Sequence, residues 1–94
     1  ALVRAAVDLS GRGMLCWDVP LPTEKVGAFD TELAKEFWLA FTRQANCTLH
    51  LRRLAGENSH HLLEGVFKAA ARSLKQAVAL TGGNEIPSTK GMLV

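Results

Sequence analysis

An alternating segment followed by a long helical stripe constrains the fold of this chain more than any other feature. Residues 47–54, CTLHLRRL, alternate with a period of two, which predicts a strand with one buried face. Residues 56–59, GENS, interrupt the strand and supply helix-capping side chains. The helix that follows is expected to end at Gly82-Gly83, and its apolar stripe comprises Leu63, Val66, Phe67, Ala70, Leu74 and Val78. This segment therefore predicts a helix packed on a sheet.

The first half of the chain predicts two more strands and a second helix. Residues 2–9 alternate loosely and end in the turn signal SGRG, and residues 14–19 form another short apolar run. We expect these two runs to pair as a hairpin. After a loop over residues 20–29, Asp30-Thr31 supplies an N-cap for a helix that ends near Asn46. Its apolar face is expected to comprise Leu33, Phe37, Ala40 and Phe41, with Trp38 beside them.

The predicted order of elements is ββαβα, which defines an α+β fold. The sheet is expected to be small and mostly antiparallel or mixed, with both helices packed on one face. A chain of 94 residues corresponds to one small domain or to a piece of one. A domain of this size buries roughly two-thirds of its unfolded surface, so a partner would stabilise it.

Composition argues against several classes of function. The net charge is only +2 and the basic residues are dispersed, so no nucleic-acid partner is expected. Every apolar run is far shorter than the roughly 20 residues of a membrane helix, so no membrane partner is expected. Cys16 and Cys47 lack CxxC spacing, which favours two free thiols in a reducing cytosol.

The main candidate for chemistry is the sequence HHLLE at residues 60–64. On a helix, Glu64 lies four residues after His60 and three after His61, so either histidine could share a metal centre with this carboxylate. The two histidines diverge by about 100°, which suggests two centres, or one centre completed by another segment. Such a donor set suits Mn, Fe or Zn. The alternative is an exposed histidine pair with an ordinary ion pair around Glu64.

A second candidate set is cationic and scattered along the chain. Arg12 lies in the SGRG turn, Lys68 follows Glu64 by one helical turn, and Ser88 and Lys90 lie in the sequence IPSTKG. Turns flanked by glycine that carry a hydroxyl group and a cation can bind phosphate through backbone N–H groups and side chains together. The alternative is that each of these side chains is simply solvated.

Three stretches, AVDLSGR, TLHLRRLAGENSHHLLEGVFKAAARSLKQAV and IPSTKGML, together resemble the C-terminal half of the imidazoleglycerol-phosphate dehydratase family. The resemblance implies a protein of two similar halves related by duplication, each with a fold like domain 2 of ribosomal protein S5. Residues 1–94 would be the C-terminal half-domain, and the N-terminal half would be absent from this sequence. It also implies manganese-dependent dehydration of imidazole glycerol phosphate to imidazole acetol phosphate in histidine biosynthesis.

The resemblance also assigns residues to two manganese ions per site. Carried over to this sequence, His60, His61 and Glu64 would be metal ligands, with the two histidines on different ions. Many family members have a further histidine in a stretch like EHFF. Here that stretch is KEFW, and Glu36 occupies the position of the histidine. We expect Glu36 to act as a ligand, and the alternative is an ordinary surface residue.

The remaining implications concern the substrate and the partners. Arg12, Lys68, Ser88 and Lys90 would bind the substrate phosphate, whereas the carboxylate that moves the proton would belong to the N-terminal half. This chain would therefore be catalytically incompetent by itself and would act within a homo-oligomer of 24 subunits. A cytoplasmic location is expected, or a plastid in a plant. The alternative function is a non-catalytic assembly module that binds metal and phosphate.

Overall fold

The computed structural model describes residues 1–9 and 11–80 of the chain. Its elements are β1 (Leu2–Asp8), β2 (Met14–Asp18), β3 (Lys25–Val26), β4 (Phe29–Asp30), α1 (Glu32–Ala45), β5 (Thr48–Ala55) and α2 (Ser59–Leu80). The predicted ββαβα order is confirmed, and a two-residue hairpin, β3–β4, is added within the predicted loop. The expected helix end at Gly82-Gly83 lies outside the described residues. No helix in the described part is long and apolar enough to cross a membrane.

Strand β5 lies at the centre of a mixed three-stranded sheet of order β1-β5-β2. It pairs antiparallel with β1 and parallel with β2, so the expected hairpin between the first two strands is wrong. The central position suits β5 because its Leu49 and Leu51 are 0% and 1% exposed, the most completely buried side chains of the sheet. Parallel pairing of β2 with β5 requires a crossover, and α1 provides it.

One face of the sheet is covered by both helices, as the sequence predicted. Leu49 and Leu51 point towards the helices, whereas His50 and Arg52, which alternate with them along the strand, are exposed on the opposite face. The buried core comprises Val19, Trp38, Cys47, Leu49, Leu51, Val66, Ala70 and Leu74. Both cysteines are free, and burial raises the pKa of the Cys47 thiol.

Helix α1 buries a different face from the one that the sequence suggested. Its buried residues are Ala34, Trp38 and Thr42, whereas Leu33 and Phe37 are each 50% exposed. The expected face is wrong because the indole of Trp38 fills the space above the sheet and displaces the neighbouring Phe37 outwards. The predicted stripe of α2 is confirmed at Leu63, Val66, Ala70, Leu74 and Val78, which are buried. It differs only in that Leu62 is also buried and Phe67 is 40% exposed. An aromatic surface therefore remains on the outer side of the helices.

The ends of α1 agree with the sequence prediction. Asp30 Oδ1 accepts a hydrogen bond from the N–H of Glu32 at 3.0 Å, which satisfies one of the free donors of the first turn. Asn46 ends the helix in the left-handed conformation, with φ 53° and ψ 46°, and its N–H donates to the carbonyl of Thr42. The chain then turns directly into β5.

Candidate metal and phosphate site

The first two turns of α2 carry the candidate ligands His60, His61 and Glu64. Asn58 caps the helix, because its Oδ1 accepts a hydrogen bond from the N–H of His61 at 3.0 Å and its carbonyl accepts one from Leu62 at 2.9 Å. The buried face of α2 comprises Ser59, Leu62, Leu63, Val66, Ala70, Leu74 and Val78. Burial of that face turns the polar residues of the HHLLE sequence towards solvent.

Glu64 stands between two cationic or hydrogen-bonding neighbours on this outward face. Its Oε1 lies 2.7 Å from His60 Nε2, and its Oε2 lies 3.8 Å from Lys68 Nζ. The side chains of His60 and Glu64 are 61% and 47% exposed. His60, Glu64 and Lys68 therefore form a continuous line along the helix, accessible to an ion or a small anion.

His61 stands apart from this line. Its ring centroid lies 5.6 Å from that of His60, with an interplanar angle of 64°. In the described part of the chain, no hydrogen bond or ion pair joins the His61 side chain to Glu64. The expected divergence of the histidines therefore leaves Glu64 paired with His60 and not with His61.

The described residues provide only part of a metal centre. Among residues 1–9 and 11–80, no three side chains of His, Cys, Asp or Glu converge on one point. Glu36 is exposed on α1 and does not complete such a group with His60 and Glu64. The available donors are imidazole nitrogen and carboxylate oxygen on an exposed helix turn, a set that fits manganese. An ion bound here would take its other ligands from elsewhere.

The predicted phosphate residues are only partly placed. Lys68 is on α2 beside Glu64. Arg12 precedes β2, where its carbonyl accepts a hydrogen bond from Thr48 Oγ1 at 3.1 Å and its side chain is exposed. No hydrogen bond or ion pair within the described residues joins Arg12 to Lys68. Ser88 and Lys90 lie outside the described residues.

Sequence reasoning missed a hydroxyl contact that adjoins the histidines. Ser59 Oγ accepts hydrogen bonds from Thr23 N at 3.2 Å and from Thr23 Oγ1 at 2.9 Å. A surface depression of ≈ 300 Å³ lies at this end of α2, and its lining includes Lys25 and His60. The sequence contained one signal for this contact. Asn58 and Ser59 are both capping-type residues, and because a helix uses only one of them as its cap, the other is available for a different contact.

The outer aromatic surface was also missed as a functional feature. Phe37 and Phe67 face each other across the two helices, with ring centroids 5.5 Å apart. Beneath them, Trp38 is 5% exposed, and its Nε1 has no acceptor among the described residues. A buried N–H group without a partner is unusual in a complete fold. We call Phe37, Phe41 and Phe67 the aromatic face.

The family comparisons agree with the fold and extend over most of the chain. The sequence profile described as imidazoleglycerol-phosphate dehydratase matches residues 1–74. Proteins named imidazoleglycerol-phosphate dehydratase from Cereibacter sphaeroides and Pelotomaculum thermopropionicum are 57% and 54% identical to it, each over 99% of the chain. The match covers 49% and 48% of those proteins, so the chain spans about half the length of these curated relatives.

Solved structures give the same result. The imidazoleglycerol-phosphate dehydratase of Staphylococcus aureus matches with a TM-score of 0.69 and 46% identity, covering 71% of this chain and 39% of that one. The Pyrococcus furiosus protein, in complex with (S)-C348, matches with a TM-score of 0.65 and 36% identity, covering 76% and 42%. These matches confirm the α+β fold. Because the profile covers residues 1–74 and the relatives exceed 50% identity over nearly the whole chain, the chain belongs to the imidazoleglycerol-phosphate dehydratase family.

Proposed function

We propose that residues 1–94 form the C-terminal half-domain of an enzyme that dehydrates imidazole glycerol phosphate to imidazole acetol phosphate in histidine biosynthesis. The observation that carries the proposal is the exposed His60–Glu64 pair, with His61 beside it, at the beginning of α2 in a chain of this family. The other half of the enzyme would supply the remaining part of the site, since the curated relatives are about twice as long.

The ligands that this chain contributes would be His60, His61, Glu64 and Glu36, shared between two Mn²⁺ ions. The angle between His60 and His61 directs them to different ions. When bound, the metal would supply Lewis acidity towards the substrate imidazole.

The remaining task of this chain would be to orient the substrate. Lys68 lies one turn beyond Glu64 with its Nζ 3.8 Å from Oε2, close enough to the ligands to hold the phosphate end of a short substrate. Arg12, Ser88 and Lys90 would complete the phosphate site. The carboxylate that removes the carbon-bound proton would come from the N-terminal half.

The partner for the aromatic face would be that N-terminal half. Phe37 and Phe67 are 50% and 40% exposed, and the indole N–H of Trp38 between them has no acceptor in the described part of the chain. A covering layer would bury the rings and could offer the indole an oxygen acceptor. Two such halves would form the subunit of a homo-oligomer of 24 copies, in the cytoplasm or in a plastid.

The proposal is tested with a chimera in which this chain replaces the stretch that it matches in the Cereibacter sphaeroides relative. Manganese binding is measured from the electron paramagnetic resonance signal of free Mn²⁺, and dehydration is measured separately. We expect His60→Ala, His61→Ala and Glu64→Gln each to weaken manganese binding and to abolish turnover. The matched control is His50→Ala, which removes another exposed histidine, on the face of the sheet opposite the helices.

Two outcomes would contradict parts of the proposal. Unchanged manganese binding in all three ligand variants would exclude the metal site. Manganese binding that depends on the three ligands, but without turnover in the unsubstituted chimera, would favour the alternative of a non-catalytic assembly module.

A further inference from the structure

The hydroxyl of Ser59 does not cap α2 but forms hydrogen bonds with another part of the chain. Ser59 is the first residue of α2 and immediately precedes His60, yet Asn58 supplies the capping oxygen to the N–H of His61. Ser59 is 5% exposed, and its Oγ instead accepts hydrogen bonds from both the backbone N–H and the hydroxyl of Thr23. A buried oxygen that accepts two hydrogen bonds from one residue fixes the position of that residue closely.

The same loop is fixed to the beginning of α1. Thr31, the N-cap residue of α1, is 5% exposed. Its Oγ1 donates towards the carbonyls of Thr23 at 3.0 Å and Glu24 at 2.9 Å, and its N–H donates to the Glu24 carbonyl at 2.8 Å. Residues 23–24 therefore link the first residue of α2 to the N-cap of α1.

This link lies at the end of the helices that carries the candidate ligands. The aromatic contacts between α1 and α2 occur further along, where Phe37 and Trp38 meet Phe67. Those rings hold the helices together but lie about two turns beyond Ser59 on α2. Near His60 itself, the hydrogen bonds of Thr23 are the contacts that join the two helix beginnings.

We propose that Thr23 is a positioning residue for the metal ligands. By holding Ser59 and the Thr31 N-cap at once, it sets the position of the first turn of α2, with His60 and His61, relative to the beginning of α1, where Glu36 is the fifth residue. The inference rests on the proposed function, because it concerns ligands of the proposed site. Thr23 touches neither the metal nor the substrate in this account and acts only through Ser59 and Thr31.

The test is a double-mutant cycle on manganese affinity in the chimera. Thr23→Val keeps the shape of the side chain and removes its hydroxyl, and Ser59→Ala removes the acceptor. Loss of a group that orients metal ligands weakens metal binding by about 10- to 100-fold, so we expect each single variant to lose about 10-fold. Thr23→Val removes the hydroxyl bond to Ser59, whereas Ser59→Ala removes that bond and the one from the Thr23 N–H. The hydroxyl bond is common to both changes, so the double variant should lose little more than Ser59→Ala alone.

Three further variants make the result decisive. Thr23→Ser restores the hydroxyl and should recover the affinity, whereas Thr42→Val, the same change at a buried threonine that bonds within α1, should leave it unchanged. Unchanged affinity in Thr23→Val, or losses that multiply in the double variant, would overturn the inference. His60→Ala distinguishes the two proposals: if it abolishes binding while Thr23→Val has no effect, the metal site stands and the positioning role does not.

Discussion

Glu64 shows how single residues on this helix remain available for binding. Its two oxygens face His60 Nε2 at 2.7 Å and Lys68 Nζ at 3.8 Å, and its side chain is 47% exposed. Exposed i,i+4 pairs of this kind contribute only about 0.3–0.5 kcal/mol to stability. His60 can therefore leave Glu64 to bind a metal ion, and Lys68 can leave it to bind an anion, with little loss of folding free energy. The core-facing residues of α2 stabilise the fold, and its outward-facing residues remain available for binding.

Lys68 gives a prediction at this scale. If it binds the substrate phosphate, Lys68→Met in the chimera removes a charge-assisted hydrogen bond worth about 1.5–3 kcal/mol. We expect kcat/KM to fall by about 10- to 100-fold in steady-state assays. Manganese affinity should change little, because Lys68 contacts Glu64 only at 3.8 Å.

The matched control for this prediction is Lys75→Met. Lys75 is exposed on the same helix, about two turns further from the histidines. It should leave kcat/KM unchanged. An equal loss in both variants would mean a general charge effect, and no loss in Lys68→Met would remove Lys68 from the phosphate site.

At the scale of elements, the sequence predicted what depends on local patterns and missed what depends on distant partners. The strand of residues 47–54, both helices and the Asn46 helix end follow from periodicity and capping, which neighbouring residues determine. The hairpin expected between β1 and β2 was wrong because strand pairing is decided by burial across the whole sheet. The buried face of α1 was wrong because Trp38 and Phe37 are adjacent, and periodicity cannot tell which of them faces the core.

The candidate site divides in the same way. The outward position of His60, His61 and Glu64 follows from the helical stripe, so the sequence was sufficient to predict it. The contact between Thr23 and Ser59 joins residues 36 positions apart and depends on the path of a loop. No local pattern encodes that path.

The turn into β2 gives a prediction at the scale of elements. A Cβ atom placed on Gly13 would lie 3.0 Å from both Arg43 Cα and the Thr42 carbonyl oxygen. Because both neighbours are backbone atoms, neither can rotate away. Gly13→Ala should therefore lower the free energy of unfolding of the chimera by about 1–3 kcal/mol, as overpacking does, measured by urea denaturation.

The comparison position is Gly27, where nothing lies within 4 Å of a built Cβ and only φ +62° opposes a side chain. Gly27→Ala should be destabilising through this left-handed conformation, by about 1–2 kcal/mol, and Gly27→Asn should recover part of the loss because asparagine tolerates it. At Gly13 the larger asparagine should be worse than alanine. Recovery by asparagine at Gly13 would show that conformation, and not the contact with α1, explains the glycine.

At the scale of the whole molecule, the described residues cover only part of the helix layer. The sheet covers the side that carries Ala34, Trp38 and Val66, while Phe37 and Phe67 of the aromatic face are exposed beside Trp38. Helices between a sheet and solvent normally present polar residues outwards. Under the proposed function, the N-terminal half covers the aromatic face with a second layer, and relatives of about twice the length contain enough chain to form one.

The variants Phe67→Ser and Phe29→Ser test this arrangement, because the two phenylalanines have nearly the same exposure. In this chain, Phe67 is 40% exposed on α2 and Phe29 is 42% exposed on β4. If the N-terminal half covers the aromatic face, Phe67 becomes a core residue in the chimera, where truncation of a phenylalanine costs about 3–5 kcal/mol. Phe29→Ser removes a ring that stays partly solvated, so it should cost about 1 kcal/mol. Serine and phenylalanine have similar helix propensities, so the loss in Phe67→Ser would not come from the helix itself.

The measurement is urea denaturation at equal protein concentration. Equal losses of unfolding free energy in the two variants would mean that the aromatic face stays open in the whole protein.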